Sequence, residues 1–179
     1  MDSNNNDLNI DSDKNDAALS HVDASGKAII VDISVKKETL RRAQAQGYIL
    51  ASSEIIKKIR ENEIIKGDVF TVSKLAGILA AKKTHDLIPL CHQIKITSVD
   101  ISFKIIEDEN KITAVSSVAG FDRTGVEMEA LISVSVSLLN IYDMCKALSK
   151  EMVIGGIELL EKSGGKAEYK KSSANNLPD

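Results

Sequence analysis

Two segments of strand-like sequence joined by a short polar turn place the strongest restriction on the fold of this chain. Residues 94–106 and 111–119 are rich in β-branched side chains, and the polar residues 107–110 lie between them. Such a pair of segments predicts a β-hairpin and therefore an antiparallel sheet. In the first segment the alternation of apolar residues changes phase near Thr97 and Ser98, which predicts a β-bulge there.

Three further segments have strand character. Residues 28–35 are rich in β-branched side chains, and residues 152–160 form a last apolar segment. Residues 38–46 have a helix-forming composition, but from Arg41 to Ile49 small or apolar positions alternate with polar ones. We expect a strand that runs to about Leu50, because a period of two is typical of strands.

Helix signals occur at three places. Ser52 or Ser53 is suited to cap a short helix with an isoleucine face, and Asp68 is suited to cap a helix over 69–84. A long helix is predicted over 127–149. Since strands and helices do not alternate strictly, they predict an α+β fold, an antiparallel sheet with helices packed on one face. The second helix carries an apolar face at helical spacing, which comprises Val69, Val72, Leu75, Ala76, Leu79 and Ala80.

Composition divides the 179 residues into a folded body and two polar ends. Residues 1–20 contain five Asp and one Lys, and this composition predicts a disordered leader. Residues 21–171 are interpreted as a single domain and residues 172–179 as a mobile tail. Because the leader carries the excess negative charge, the body is nearly neutral, which argues against nucleic acid as a partner.

The chain shows no signal for export or for membrane insertion. Its start has neither the apolar core of a secretory signal nor an arginine-rich transit pattern. No apolar run approaches the roughly 20 residues that span a bilayer. The two cysteines lie far apart in sequence, which favours a reducing compartment. We therefore expect a cytoplasmic protein that does not bind membranes.

Two segments next to the hairpin carry residues suited to proton transfer or binding. A loop contains Leu90, Cys91 and His92, and an imidazole titrates near neutral pH, although a structural histidine is the alternative. Glu127 and Glu129 stand near the start of the long helix, where carboxylates also fit simply as partners of the helix dipole. These two carboxylates lie about 200° apart around the helix axis and must face different partners.

Lysines and one aspartate supply a second set of candidates. Asp143 and Lys146 share one face of the long helix, either as a surface ion pair or as a carboxylate that tunes a lysine for proton transfer. Lys66 stands beside a helix start, and residues 162–166, KSGGK, offer backbone N–H groups and two cations to an anion. Because Glu129 and Asp143 are about 21 Å apart along the helix, a compact site that used both would need a second subunit.

A zinc site is another interpretation of the cysteines and histidines. It would recruit Cys91, His92, His85 and Cys145. Adjacent ligands lack the spacing of roughly two to four residues that structural zinc sites show, so the pattern disfavours zinc.

Five motifs occur together in one order along the chain. They are KGDVF at 66–70, LIPLCH at 87–92, TGVEMEAL at 124–131, YDMCKA at 142–147 and KSGGK at 162–166. In this order they resemble the signature blocks of the MoaC family, the cyclic pyranopterin monophosphate synthases of molybdenum cofactor biosynthesis. Residues 31–34 and the segment around Arg41 are similar too, so the resemblance covers about residues 21–171.

The resemblance implies a reaction, a fold and an assembly. The family acts as a lyase that converts a cyclised dihydro-GTP, a small-molecule substrate, to cyclic pyranopterin monophosphate and diphosphate. Its fold is ferredoxin-like, and its hexamers are trimers of dimers with the site between subunits. A non-catalytic nucleotide-binding module on the same fold is the alternative, and a zinc-dependent hydrolase is a third hypothesis.

Carried over position by position, the resemblance also implies roles for single residues. Asp143, Lys146 and Lys66 take catalytic roles. No metal ligand or cofactor is firmly implied, and a divalent cation with the triphosphate stays open. Three positions depart from the family pattern, His85, Gln93 and Ala167, and the last would weaken one phosphate contact. The implied substrate-binding residues are Leu90, Cys91, His92, Glu127, Met128, Glu129, Arg41, Lys162 and Lys166.

Overall fold

The computed structural model describes residues 27–172. The chain divides into two compact units, Met1–Val31 and Asp32–Asp179, and all helices and strands named below belong to the second unit. The predicted leader, residues 1–20, lies outside the described residues, as does the predicted tail apart from Ser172.

An antiparallel sheet and two long helices form the two layers of the second unit. Helices α2 and α4 pack on one face of the sheet. The four longer strands lie in the order β2-β3-β1-β4, and β5 adds a short edge beside β4. This arrangement confirms the α+β, ferredoxin-like class. The strands are β1 (Thr39–Leu50), β2 (Ile96–Ile106), β3 (Lys111–Asp122), β4 (Val153–Ser163) and β5 (Tyr169–Lys170), and the helices are α1 (Ser53–Arg60), α2 (Val69–Lys82), α3 (Thr84–Leu87) and α4 (Glu127–Cys145).

Strand β1 lies at the centre of the sheet, between β3 and β4. Ala43, Ala45 and Ile49 are buried beneath the helices, whereas Gln44 and Gln46 are half-exposed on the open face of the sheet. The alternation of small and polar residues therefore indicates a strand correctly, despite the helix-forming composition of the segment.

The hairpin and its bulge are confirmed. Strands β2 and β3 pair in an antiparallel register that shifts between Ile96 and Ser98. A 3-10 turn, Glu107–Glu109, joins them and ends at Asn110, which adopts a left-handed backbone conformation with φ of 48°. Asparagine tolerates this conformation better than most residues, so it suits the turn.

The predicted helix caps form as hydrogen bonds. The Ser52 hydroxyl accepts from the backbone N–H of Ile55 at 3.3 Å, and the Asp68 carboxylate accepts from that of Thr71 at 3.1 Å. Each bond satisfies a backbone donor that has no partner within its helix. Helix α4 ends at Cys145, four residues before its predicted end.

The strand expected over residues 28–35 does not form. The Asp32 carboxylate accepts a hydrogen bond from the N–H of Ser34 at 2.8 Å, and the N–H of Lys36 donates to the carbonyl of Ile33 at 3.0 Å. These local bonds make a turn, because an aspartate side chain offers the backbone an alternative to sheet pairing.

The apolar face of α2 is only partly buried. Ser73, Gly77, Ala80 and Ala81 are buried, whereas Val72, Leu75 and Leu79 are exposed by 40%, 56% and 59%. The small residues face α4, where they allow the two helices to approach closely. Helical spacing identifies an apolar face but cannot tell whether that face meets the core of its own subunit.

Helix α4 is the one helix among residues 27–172 that is long and apolar enough to cross a membrane. Half of it is buried inside the fold, and it contacts β1, β3, β4 and α2. The central helix of a folded core has the same length and composition, so this is weak evidence for a membrane span.

Replacing Gly77 by alanine should lower stability by about 1–3 kcal/mol, because overpacking a tight contact costs more than the gain in helix propensity. A Cβ at Gly77 would lie 2.2 Å from Ser137 Oγ, 2.5 Å from Ile101 Cδ1 and 2.8 Å from the Ser133 carbonyl oxygen. Urea unfolding of Gly77→Ala measures the change. A more stable variant, which helix propensity alone would produce, would contradict the close contact.

Candidate functional site

The residues predicted from the sequence fall into two groups at opposite ends of α4. The first, the Asp143 cluster, consists of Lys66, Asp143 and Lys146. The second, the cationic pocket, has a volume of about 280 Å³ and lies beside the start of α4. The charged residues that line the pocket are Lys36, Arg41, Arg123, Lys162, Lys166 and Glu127.

One carboxylate joins two ammonium groups in the Asp143 cluster. Lys66 Nζ lies 2.8 Å from Asp143 Oδ2 and also donates to the backbone carbonyl of Asp143 at 2.8 Å. Lys146 Nζ lies 2.6 Å from Oδ1, the other carboxylate oxygen. Lys66 precedes Gly67, whose φ of 100° turns the chain into α2, and in this way α2 and α4 bring the three residues together.

Both lysines keep Asp143 ionised. The hydrogen bonds from Lys146 and Lys66 lower its pKa from 3.8 to about 2, and the same contact raises the pKa of Lys146. All three side chains are about half-exposed, so the ion pairs contribute little to folding stability. The cluster therefore holds an ionised carboxylate between two lysine side chains, and the raised pKa keeps Lys146 in its ammonium form.

Arginine and lysine side chains are held in the cationic pocket by backbone and carboxylate oxygens. Arg41 donates through Nε to the Asp122 carbonyl at 3.2 Å and through Nη2 to the Arg123 carbonyl at 3.1 Å. Lys162, the second-last residue of β4, lies 2.9 Å from Glu127 Oε1. Because β1, the end of β3 and β4 are neighbours in the sheet, these side chains reach one place from distant parts of the sequence.

Glu129 is a buried carboxyl group near the same end of α4. Its side chain is only 3% exposed, and no residue in the described part of the chain hydrogen-bonds to its Oε2. Burial, followed by the charges of Glu127 and Asp122, raises its pKa from 4.5 to about 7. A carboxyl group that titrates near neutral pH can either donate or accept a proton.

The loop that contains Leu90, Cys91 and His92 is half-buried. Burial and the charge of Glu129 raise the pKa of the Cys91 thiol, so at neutral pH it is not a thiolate nucleophile. Its partner in the zinc interpretation, Cys145, is fully buried, with a pKa raised to about 11. Within residues 27–172 no three His, Cys, Asp or Glu side chains are arranged to hold a metal ion, so that interpretation has no ligand set there.

The structure thus assembles each group but leaves the two groups apart. Met128 is half-buried between Glu127 and Glu129 on α4, whereas Asp143 lies about 21 Å further along the helix axis. Lys36 and Arg123 line the cationic pocket but were missed by the sequence analysis. Their signal was weak: Arg123 directly precedes the motif at 124–131, and Lys36 is one of many lysines.

Comparison with known proteins identifies relatives over almost the whole described chain. The profile of the MoaC family matches residues 30–165. A cyclic pyranopterin monophosphate synthase from Heliobacterium modesticaldum is 49% identical over 151 residues, which are 84% of this chain and 95% of that protein. A synthase of the same name from Clostridium perfringens strain 13 is 49% identical over 152 residues, covering 85% and 96%. Molybdenum cofactor biosynthesis protein 1 of Drosophila melanogaster is 42% identical over 163 residues, which are 91% of this chain and 29% of that protein.

Replacing Glu129 by glutamine should stabilise the protein at pH 8 and have little effect at pH 5. A raised pKa means that the folded protein keeps a proton that the unfolded chain releases, so wild-type stability falls as pH rises from 4.5 to about 7. At pH 8 the gain should be on the order of 1–3 kcal/mol.

Urea unfolding of wild type and Glu129→Gln at the two pH values measures the difference. The exposed residue Glu161 offers a matched control, because Glu161→Gln removes the same charge without a buried carboxyl group. An equal effect of Glu129→Gln at both pH values would show that the raised pKa is wrong.

Proposed function

The chain belongs to the MoaC family, and we propose that it is a lyase that converts a cyclised dihydro-GTP to cyclic pyranopterin monophosphate and diphosphate. It is an enzyme of molybdenum cofactor biosynthesis. The observation that carries the proposal is the 49% identity to a cyclic pyranopterin monophosphate synthase across 95% of that protein's length. The relatives give no support to a non-catalytic nucleotide-binding module.

The Asp143 cluster is suited to the proton transfers of this reaction. Opening the imidazole ring and building the pterin require proton donors held beside the substrate. Lys146 and Lys66 lie against the two carboxylate oxygens of Asp143, which holds both ammonium groups in place. We assign proton donation to these two lysines and their placement to Asp143, whose own pKa of about 2 prevents it from carrying a proton at neutral pH.

The cationic pocket is suited to the triphosphate. Five basic side chains surround it, and arginine and lysine stabilise both a bound polyphosphate and the charge that develops on a leaving diphosphate. Glu129 and the Cys91 loop lie at the same end of α4, where they can contact the base. In our proposal the phosphates bind at the ends of β1, β3 and β4, and the base lies nearer to the loop.

A second copy of the chain completes the site in our proposal. The outer surface of the helix layer carries Val72, Leu75 and Leu79 of α2 and Leu139 of α4, all at least 40% exposed. Large exposed apolar patches mark interaction surfaces, and a homodimer with a two-fold axis places the same patch on both subunits.

Antiparallel packing of two α4 helices would bring an Asp143 cluster and a cationic pocket together. Each α4 would then place its Asp143 end beside the Glu129 end of its partner. Within one chain, Glu129 and Asp143 are about 21 Å apart along the helix axis. The site would combine the Asp143 cluster of one subunit with the cationic pocket of the other. Three such dimers would make the hexamer expected from the family resemblance.

Replacing Asp143 by asparagine should reduce kcat at least about a hundredfold, because neither lysine would be held by a carboxylate. The purified protein is incubated with cyclised dihydro-GTP, and diphosphate and the fluorescent oxidised pterin are measured. Asp100→Asn is the matched control, since Asp100 forms a comparable exposed pair with Lys74 at 2.7 Å outside both groups. Full activity in Asp143→Asn, or no product with wild type, would refute the proposal.

Two inactive variants should restore activity when they are mixed. A hybrid dimer of Asp143→Asn and Lys162→Met carries both changes in one site and none in the other, so random exchange should recover about a quarter of wild-type activity. Native mass spectrometry verifies the exchange. Asp143→Asn mixed with Lys146→Met is the control, because both changes lie in one group and no site is intact. No recovery after verified exchange would exclude a shared site.

A further inference from the structure

We propose that the Glu127 carboxylate occupies the place of a substrate phosphate in the free protein and must leave it when a polyphosphate binds. The inference rests on the proposed function, because it takes the cationic pocket as the phosphate site. Glu127 would thereby act as a built-in competitor that lowers the affinity of the pocket for anions.

The contact with Lys162 is the first observation. Lys162 Nζ lies 2.9 Å from Glu127 Oε1, and the two side chains are 36% and 26% exposed. Among the described residues that line the pocket, Glu127 is the only acidic one, and five basic residues accompany it. In the free protein, therefore, one of the cations expected to bind phosphate is already paired with an anion.

The position of the carboxylate against Gly125 is the second observation. A Cβ at Gly125 would lie 1.8 Å from Glu127 Oε2 and 2.6 Å from Cδ, so the carboxylate fills a space that exists because residue 125 has no side chain. Val126 precedes the first turn of α4 and provides no side-chain cap. The Glu127 carboxylate thus lies close to the positive end of the α4 dipole, a position that favours an anion.

Charge repulsion prevents the Glu127 carboxylate and a bound phosphate from occupying the pocket at the same time. Unit charges about 4 Å apart repel strongly when water is partly excluded, so a phosphate bound to Lys162 would destabilise the carboxylate beside it. Arg41 gives Nε and Nη2 to backbone carbonyls, whereas Lys162 donates to a carboxylate whose side chain can rotate away. Rotation of Glu127 away from Gly125 frees both Lys162 and the helix start for the arriving anion.

Competition of this kind weakens the binding of every anion by the same factor. The apparent dissociation constant rises in inverse proportion to the fraction of protein in which the pocket is open. Inorganic phosphate makes too few contacts to offset the closed state, whereas a triphosphate spans several cations. Return of the carboxylate after the reaction would also help to release diphosphate.

Titration calorimetry with inorganic tripolyphosphate and with inorganic phosphate tests the proposal. Glu127→Gln keeps the shape of the side chain and removes its charge, so both anions should bind at least about threefold more tightly than to wild type. Glu127→Ala should show the same gain. Glu161→Gln, the same change on an exposed residue of β4 that does not line the pocket, controls for net charge and should change the constants less than twofold.

Each outcome separates this inference from the proposed function. Equal or weaker binding by both Glu127 variants would overturn it and would mean that Glu127 orients Lys162 for the anion instead. A variant that fails to fold would bind anions more weakly, so misfolding cannot explain a gain in affinity. Thermal unfolding checks that each variant is folded. If no variant binds tripolyphosphate while wild type turns over cyclised dihydro-GTP, the inference fails and the proposed function stands.

Discussion

Close contact between α2 and α4 determines most of what this structure presents to its surroundings. Gly77 of α2 lies against Ser137 of α4 with no room for a side chain, and Ser73, another small buried residue of α2, contacts Asn140 of α4. Because the small face points inwards, Leu75 and Leu79 point outwards. The same contact places Lys66, just before α2, beside Asp143 near the end of α4. One helix crossing thus creates both an ion cluster and an apolar surface.

Carboxyl groups at the two ends of α4 behave in opposite ways, although they share a helix. Asp143 is exposed and bonded to two ammonium groups, so its pKa falls to about 2. Glu129 is buried beside other acids, so its pKa rises to about 7. Nearby ammonium groups lower the pKa of Asp143, whereas the loss of water around Glu129 raises its pKa. The fold therefore provides a permanent anion at one end and a titratable acid at the other.

Much of the fold follows from local chemistry and was predictable for that reason. Ser52 and Asp68 cap helices through bonds to residues three positions away, and the polar turn before Lys111 makes its hairpin from adjacent segments. One prediction failed where the outcome depends on competition. Residues 28–35 have strand-like composition, but the Asp32 side chain makes a local turn.

By itself, the sequence determined the fold class, the order of the elements and the identity of most candidate residues, because periodicity, caps and ordered motifs are encoded in neighbouring positions. Tertiary structure alone decided which of those residues meet. Arg41, Glu127 and Lys162 lie on three different elements, and the pairing of β1 with β3 and β4 brings them into one pocket. Burial likewise raised the pKa of Glu129, since the loss of water around a side chain depends on everything packed against it and not on its place in the chain.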